Sequence, residues 1–211
     1  MKRVSPLLTA FLLLVLASSG LNLYGQTGEA RNVLDRVAQA FVDGGGVKAE
    51  FRVDGGASGS ICLSGERFVI ETGSMKTWFD GSTQWTYLNS SDEVNISNPT
   101  PEELQTLNPY AWLSLYKQGY SLSLSQTTDS RGRTLSVVTM NKTDKSPGPA
   151  TVSVTVNTAN YRLQRVELTM QSGTSPIVID ISSYADGLSL ADDYFVFPRA
   201  KYPTAEVIDL R

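Results

Sequence analysis

Few residues in this sequence have the types and spacing for covalent chemistry. None of the 211 residues is a histidine. That removes Ser-His-Asp and Cys-His catalysis and every zinc site built on imidazole, and leaves carboxylates, Lys and Tyr. Two acidic pairs, Glu102-Glu103 and Asp192-Asp193, have the composition of a glycosidase pair or a metal site. Each has a plainer explanation: the first stands at a helix start, where carboxylates complement the helix dipole, and the second in a turn before a strand. The single cysteine, Cys62, lies in the strand-like run Ser60–Leu63, reads as a small buried hydrophobe, and excludes an intramolecular disulfide. Trp78, Phe79 and Trp85 surround one hairpin and have the makings of a platform for sugar, but around a tight hairpin cross-strand packing is the commoner reason for such a group. Asn89, Asn95 and Asn141 begin Asn-x-Ser/Thr triplets, a pattern frequent by chance. The sequence therefore assigns no catalytic residue, metal or cofactor, and the expectation is a binding protein.

The elements around these residues explain what such a protein would bind. Met1–Gly25 has the layout of a secretory signal: Lys2 and Arg3, the apolar run Leu7–Ala17, then small residues, with cleavage expected before Gln26 and Gly20 as the competing site. The run is short for a membrane span, and no Cys stands after it to accept a lipid near the cleavage point. Residues 26–211 remain as one domain, long enough for a sizeable core. The leader takes two positive charges with it, so the formal charge goes from −3 to −5. A mildly acidic chain without basic runs is a poor partner for nucleic acid or anionic membrane. Export without disulfides fits a bacterial periplasm.

Thr27–Asp43 is predicted as a helix, with Val33, Leu34, Val37, Ala38 and Phe41 on one face and Gly44-Gly45-Gly46 as its stop. Val47–Asp54 then alternates apolar and polar without a break, as a strand with one buried face does. Ser60–Leu63 and Glu66–Glu71 continue the sheet. Met75–Phe79 and Ser82–Leu88 flank Asp80-Gly81, which suits a two-residue type I′ turn, and Asp92–Ile96 comes next. The alternation then stops for one segment. Thr100-Pro101-Glu102-Glu103 combines a capping box with Pro at the first helical position, and Pro109 divides the segment into two short helices, about 101–107 and 109–117. These carry Leu104, Leu107, Trp112, Leu113 and Tyr116, a heavy apolar load that must lie on another apolar surface. Strands resume at Tyr120 and recur to Asp193–Phe197, ten or eleven in all, joined by short loops. The fold expected is mainly β: one antiparallel meander curved into an unclosed half-barrel, with an N-terminal helix and a helical lid.

In order, four stretches carry a family likeness: Ala40-Phe41 with Val47–Phe51; Gly59–Ile70; Trp78–Tyr87 (WFDGSTQWTY); and Glu93–Ile96 leading into Asn108-Pro109. With them the chain resembles the periplasmic outer-membrane lipoprotein carrier family (LolA-like), and the ending Phe195-Val196-Phe197 with Val207–Arg211 is similar to Bacteroidetes-type members. The resemblance implies acyl chains held between a concave sheet and a lid, cargo received from an inner-membrane lipoprotein-releasing transporter, and delivery to an outer-membrane acceptor. It implies no enzyme activity and no nucleic-acid partner; a monomer is expected.

Phe51, Ile61, Leu63, Phe68, Ile70, Trp85 and Tyr87 are then expected to line the concave side, and Leu104, Leu107, Trp112, Leu113 and Tyr116 the lid. Family members hold the lid through an Arg-Pro pair after the second strand; here that stretch is Leu63–Arg67, without the Pro, and Arg67 is the nearest basic residue, the candidate lid contact. Two other readings share these features: an envelope sensor of the same fold, and a structural or carbohydrate-binding β-module with a filled core and exposed aromatics. An enzyme acting on a small molecule ranks last.

Overall fold

The computed structural model describes residues 27–41, 45–100, 103–104, 115–117, 119–146, 148–171 and 175–211. Among the described residues the longest helix, α1, runs over 27–41. Twelve strands come after it: β1 Gly46–Val53, β2 Ser58–Ser64, β3 Arg67–Thr72, β4 Met75–Phe79, β5 Gln84–Leu88, β6 Glu93–Ser97, β7 Tyr120–Thr128, β8 Thr134–Lys142, β9 Pro149–Asn157, β10 Leu163–Met170, β11 Ile177–Leu188 and β12 Glu206–Asp209. They form one open sheet in the order β12-β6-β5-β4-β3-β2-β1-β11-β10-β9-β8-β7. The expected antiparallel sheet is thus two meanders, β1–β6 and β7–β11, joined where β1 pairs with β11. Alternation cannot foresee that pairing, because it says nothing about partners distant in sequence.

Local chemistry explains the turns. Gly65 has φ +60°, as the two-residue turn between β2 and β3 requires. The β4–β5 turn differs from expectation: Phe79 pairs with Gln84, leaving a four-residue loop. Asp80 organises it, its Oδ1 accepting from the backbone N–H of Ser82 (2.9 Å) and Thr83 (2.8 Å). That side-chain bond offers the backbone an alternative to the tight turn.

Three apolar clusters hold the molecule together. Ala30, Leu34 and Val37 of α1 are fully buried on the inner faces of β7–β10, among Leu122, Val138, Met140, Val154 and Val166. A second cluster continues along the same concave side and joins Ala49, Ile61, Leu63, Phe68 and Phe79. The third lies on the other side of the sheet. Cys62, Val69, Trp78 and Val94 are buried there beneath Phe195 and Phe197, with Trp85, Tyr87 and Tyr202 around them.

The segment after β11 is what covers this outer face. Asp193–Phe197, expected as a strand, is instead a 3-10 turn (Asp192–Phe195) and then extended chain. Its alternation survives for a different reason: Phe195 and Phe197 plug into the outer face, while Tyr194 and Val196 stay exposed. Beyond it β12 adds in parallel to the free edge of β6.

Candidate functional site

The concave side contains an apolar cavity of about 140 Å³. Phe51 and Ala49 of β1, Ile61 and Leu63 of β2, and Ile70 of β3 form one wall; Leu163, Val166, Ile179 and Ile181 form the other, with Phe41 at the end of α1 and Tyr184 completing it. Tyr184 is the one lining residue among those described that carries a polar atom on its side chain. Burial, and secondarily the nearby Asp186 carboxylate, push its hydroxyl up to about 12, against a smaller opposing effect of Arg162, so it stays neutral at physiological pH.

Register explains why these residues meet. Val47 pairs with Leu63, Ala49 with Ile61, and Leu63 and Ile61 in turn with Phe68 and Ile70, so cross-strand partners stack their side chains on one face. Of the residues proposed from sequence, Phe51, Ile61, Leu63 and Ile70 line the cavity, and Phe68 is wholly buried beside it.

Trp85 and Tyr87 do not face this side. Trp85 pairs with Trp78, which pairs with Val69, and these belong to the outer face together with Cys62. Tyr87 lies on Tyr202, ring centroids 4.5 Å apart, and donates a hydrogen bond to Asp92 (2.9 Å). The physical reason is that on β5 the apolar residues at alternate positions serve the cover supplied by the C-terminal segment. The same geometry answers the sugar-platform reading. Trp78 and Phe79 are buried on opposite faces, and Trp78 is closed off by Phe197 and Tyr202 at 5.4 and 5.7 Å.

Arg67 also differs from expectation. It lies on the outer face, its guanidinium 2.5 Å from Asp192 Oδ1 and 4.8 Å above the ring of Phe195. It fastens the C-terminal segment, on the face opposite Leu104. The Asp192-Asp193 pair thereby has a structural partner.

At the start of the segment expected to be a lid, the capping box is present. Glu103 N–H donates to Thr100 Oγ1 (3.3 Å) and Thr100 N–H to Glu103 Oε2 (2.8 Å). Leu104 packs against the concave cluster. Leu107, Trp112 and Leu113 lie outside the described residues. Tyr116, in a 3-10 turn, is buried against α1, where its hydroxyl donates to Asp35 and Arg31 lies over its ring. It therefore braces the helix at a distance from the β1–β3 wall.

Wider hollows of about 740 and 810 Å³ lie on the polar outer face. Their charges are largely paired, as in Arg165–Asp180 (2.6 Å) and Arg162–Asp186 (2.9 Å). Among the described residues no three His, Cys, Asp or Glu side chains form a group suited to a metal ion, and no helix is long and apolar enough to cross a membrane.

The family model described as outer membrane lipoprotein carrier protein LolA matches residues 21–174. Among curated proteins none matches the sequence significantly. Among solved structures, an uncharacterized conserved protein from Thermus thermophilus superposes with a TM-score of 0.60 at 16% identity, over 86% of this chain and 99% of that one. A DUF1329 family protein from Desulfovibrio piger gives 0.50 at 10% identity, over 81% and 97%. A LolA superfamily protein from Nitrosomonas europaea gives 0.42 at 13% identity, over 80% and 97%. At these identities the likeness is one of fold.

Proposed function

Because the chain belongs to the LolA family of outer-membrane lipoprotein carrier proteins, we propose that it is a non-enzymatic periplasmic carrier. It buries the acyl chains of a lipoprotein, or of another lipid, in its concave cavity and moves them between the inner and outer membranes. In this reading a transporter in the inner membrane loads it and an acceptor in the outer membrane unloads it. Met1–Gly25 is removed on export and residues 26–211 do the work. The observation that carries the reading is the cavity itself, whose described lining residues are apolar apart from one neutral tyrosine hydroxyl.

The energetics fit such a task. Each buried methylene contributes roughly 0.8 kcal/mol, so a sixteen-carbon chain gains on the order of 12 kcal/mol by leaving water. A carrier must supply that shelter and still release the chain. At about 140 Å³ the cavity is of the size that holds a benzene-sized molecule, so a long chain enters only if the cover moves. Phe51, Ile61, Leu63 and Ile70 would grip the chain from the sheet, with Phe68 behind them and Leu104, Leu107, Trp112 and Leu113 closing over it.

The test is native mass spectrometry of the mature protein purified from its own periplasm, then lipid extraction. Acylated cargo at about one per chain is the expected result. A clean apo mass, together with no uptake of an added palmitoylated peptide, would refute the proposal and favour the β-module.

A further inference from the structure

Across the concave face one sheet register joins two kinds of surface. A cross-strand row runs Ala49, Ile61, Ile70, Thr77, Thr86, Asn95 from β1 to β6. The row beside it runs Leu63, Phe68, Phe79, Gln84, Ser97. Both change from apolar to polar, the first beyond Ile70 and the second beyond Phe79. Neighbouring strands are about 4.8 Å apart, so the polar side chains begin about one strand spacing from the cavity wall at Ile70.

This polar end is not an ordinary wet face. Thr77 is only 3% exposed, and Gln84 and Thr86 are half-buried. Their polar atoms form a short chain: Thr77 Oγ1 and Thr86 Oγ1 are 3.2 Å apart, and Gln84 Nε2 donates to Thr86 Oγ1 at 3.3 Å. The chain ends at Gln84 Oε1, which is shielded from solvent and has no hydrogen-bond partner among the described residues. Buried polar atoms are nearly always paired, because losing water without replacement is unfavourable. Turning the amide over only exchanges which of its two atoms is left free.

The geometry points to the second half of the ligand site. We infer that Gln84, with Thr77 and Thr86, receives the neutral polar linkage of an acylated amphiphile whose chain occupies the cavity. This rests on the carrier reading and narrows its ligand. A hydroxyl or amide group, as in a monoacylglycerol or an N-acylated peptide, both donates and accepts, so it pairs with Gln84 in either orientation. A free fatty acid fits poorly: neither polar row holds a cation, and the adjacent row on this face, Met75, Leu88, Glu93, ends in an acid. Among the residues of these rows a buried carboxylate finds no cation to offset its desolvation.

The experiment uses the mature chain, residues 26–211, and three probes with the same tail: 1-monododecanoylglycerol, methyl dodecanoate and dodecanoic acid. Each is titrated against a bound apolar fluorophore. The monoacylglycerol is expected to bind about tenfold tighter than the methyl ester, the scale of one buried hydrogen bond, with the acid weaker than both. Gln84→Leu is expected to collapse the glycerol-to-ester ratio to about one, and Thr86→Val to reduce it in part, which keeps the test intact if one variant fails to fold. No preference in the wild type, or a ratio unchanged by both substitutions, overturns the inference while leaving the carrier reading standing. Failure of all three probes to displace the fluorophore overturns both.

Discussion

On β7–β10 most of the buried residues point to the concave side, beneath α1, and the other side, apart from buried Leu135 and Asn157, is a solvated, ion-paired surface. On β2–β6 burial moves to the outer face. There Cys62, Val69, Trp78 and Val94 are covered by Phe195, Phe197 and Tyr202, while the concave side of β5 and β6 carries Gln84, Thr86, Asn95 and Ser97. Strands β2 and β3 stand between these regimes and are apolar on both faces: Ile61 and Leu63 inward, Cys62 and Val69 outward. A single sheet thus has a back closed by aromatic packing and a front that keeps a cavity. The C-terminal segment covers one face with packed aromatic rings. The concave face at β1–β3 keeps a cavity that α1 reaches only with Phe41.

The two faces can be perturbed separately at the side chains that plug them. Phe195→Ala removes a wholly buried ring from the outer face and is expected to cost about 3–5 kcal/mol of stability in urea unfolding. Acyl-probe affinity of the folded fraction should stay unchanged, because the plug is on the side away from the cavity. A large affinity loss would mean that the faces are not independent. Leu34→Ala, on the helix side, is expected to cost about 2–5 kcal/mol by the same measurement.

Filling the cavity should have the opposite profile. Ala49→Trp places a ring among Phe51, Ile61 and Ile181. It is expected to cost about 1–3 kcal/mol by overpacking while abolishing probe uptake in a fluorescence titration. Retained uptake would move the acyl site elsewhere.

Arg67→Ala tests the fastening of the C-terminal segment. Asp192 is 93% exposed, so the ion pair and the stacking on Phe195 together are expected to contribute about 1 kcal/mol. Maleimide labelling of buried Cys62, which lies under Tyr194 at 3.2 Å, should quicken in this variant if the segment opens locally.

The smallest effect is on pH. The Tyr184 hydroxyl sits at about 12 in the folded protein against 10.0 ordinarily. Above pH 10 the unfolded chain releases this proton and the folded one does not, so stability is full below pH 10 and falls between pH 10 and 12. Tyr194, raised to about 12 by burial and its bond to Cys62, acts in the same direction. Tyr184→Phe should reduce the slope of midpoint against pH in that interval, and an unchanged slope would assign the decline to Tyr194 or other groups.

Much of this organisation is written in local pattern. Of the helical face read as Val33, Leu34, Val37, Ala38 and Phe41, Leu34 and Val37 are fully buried, together with Ala30, and the other three are partly buried; strict alternation on β1 makes one buried face. The capping box at Thr100 and Glu103 closes as its spacing requires. Four of the cavity residues proposed from sequence, on β1–β3, line it, because there the inward alternation is unbroken from strand to strand.

Local pattern leaves open which of a strand's two faces is covered. Trp85 and Tyr87 alternate as well as Ile61 and Leu63 do, and a period of two is the same seen from either side. The choice was made by a segment more than one hundred residues away, whose Phe195 and Phe197 occupy the outer face. Arg67, likewise, took its partner Asp192 from that segment, 125 positions along the chain. Most of the elements, the apolar load and the absence of histidine chemistry follow from the sequence, since these depend on neighbours along the chain; Asp193–Phe197, which alternates like a strand but begins in a 3-10 turn, is an exception. The tertiary structure alone decided the β1–β11 joint, the sealed outer face and the polar end of the concave site, since these depend on which distant surfaces exclude water together.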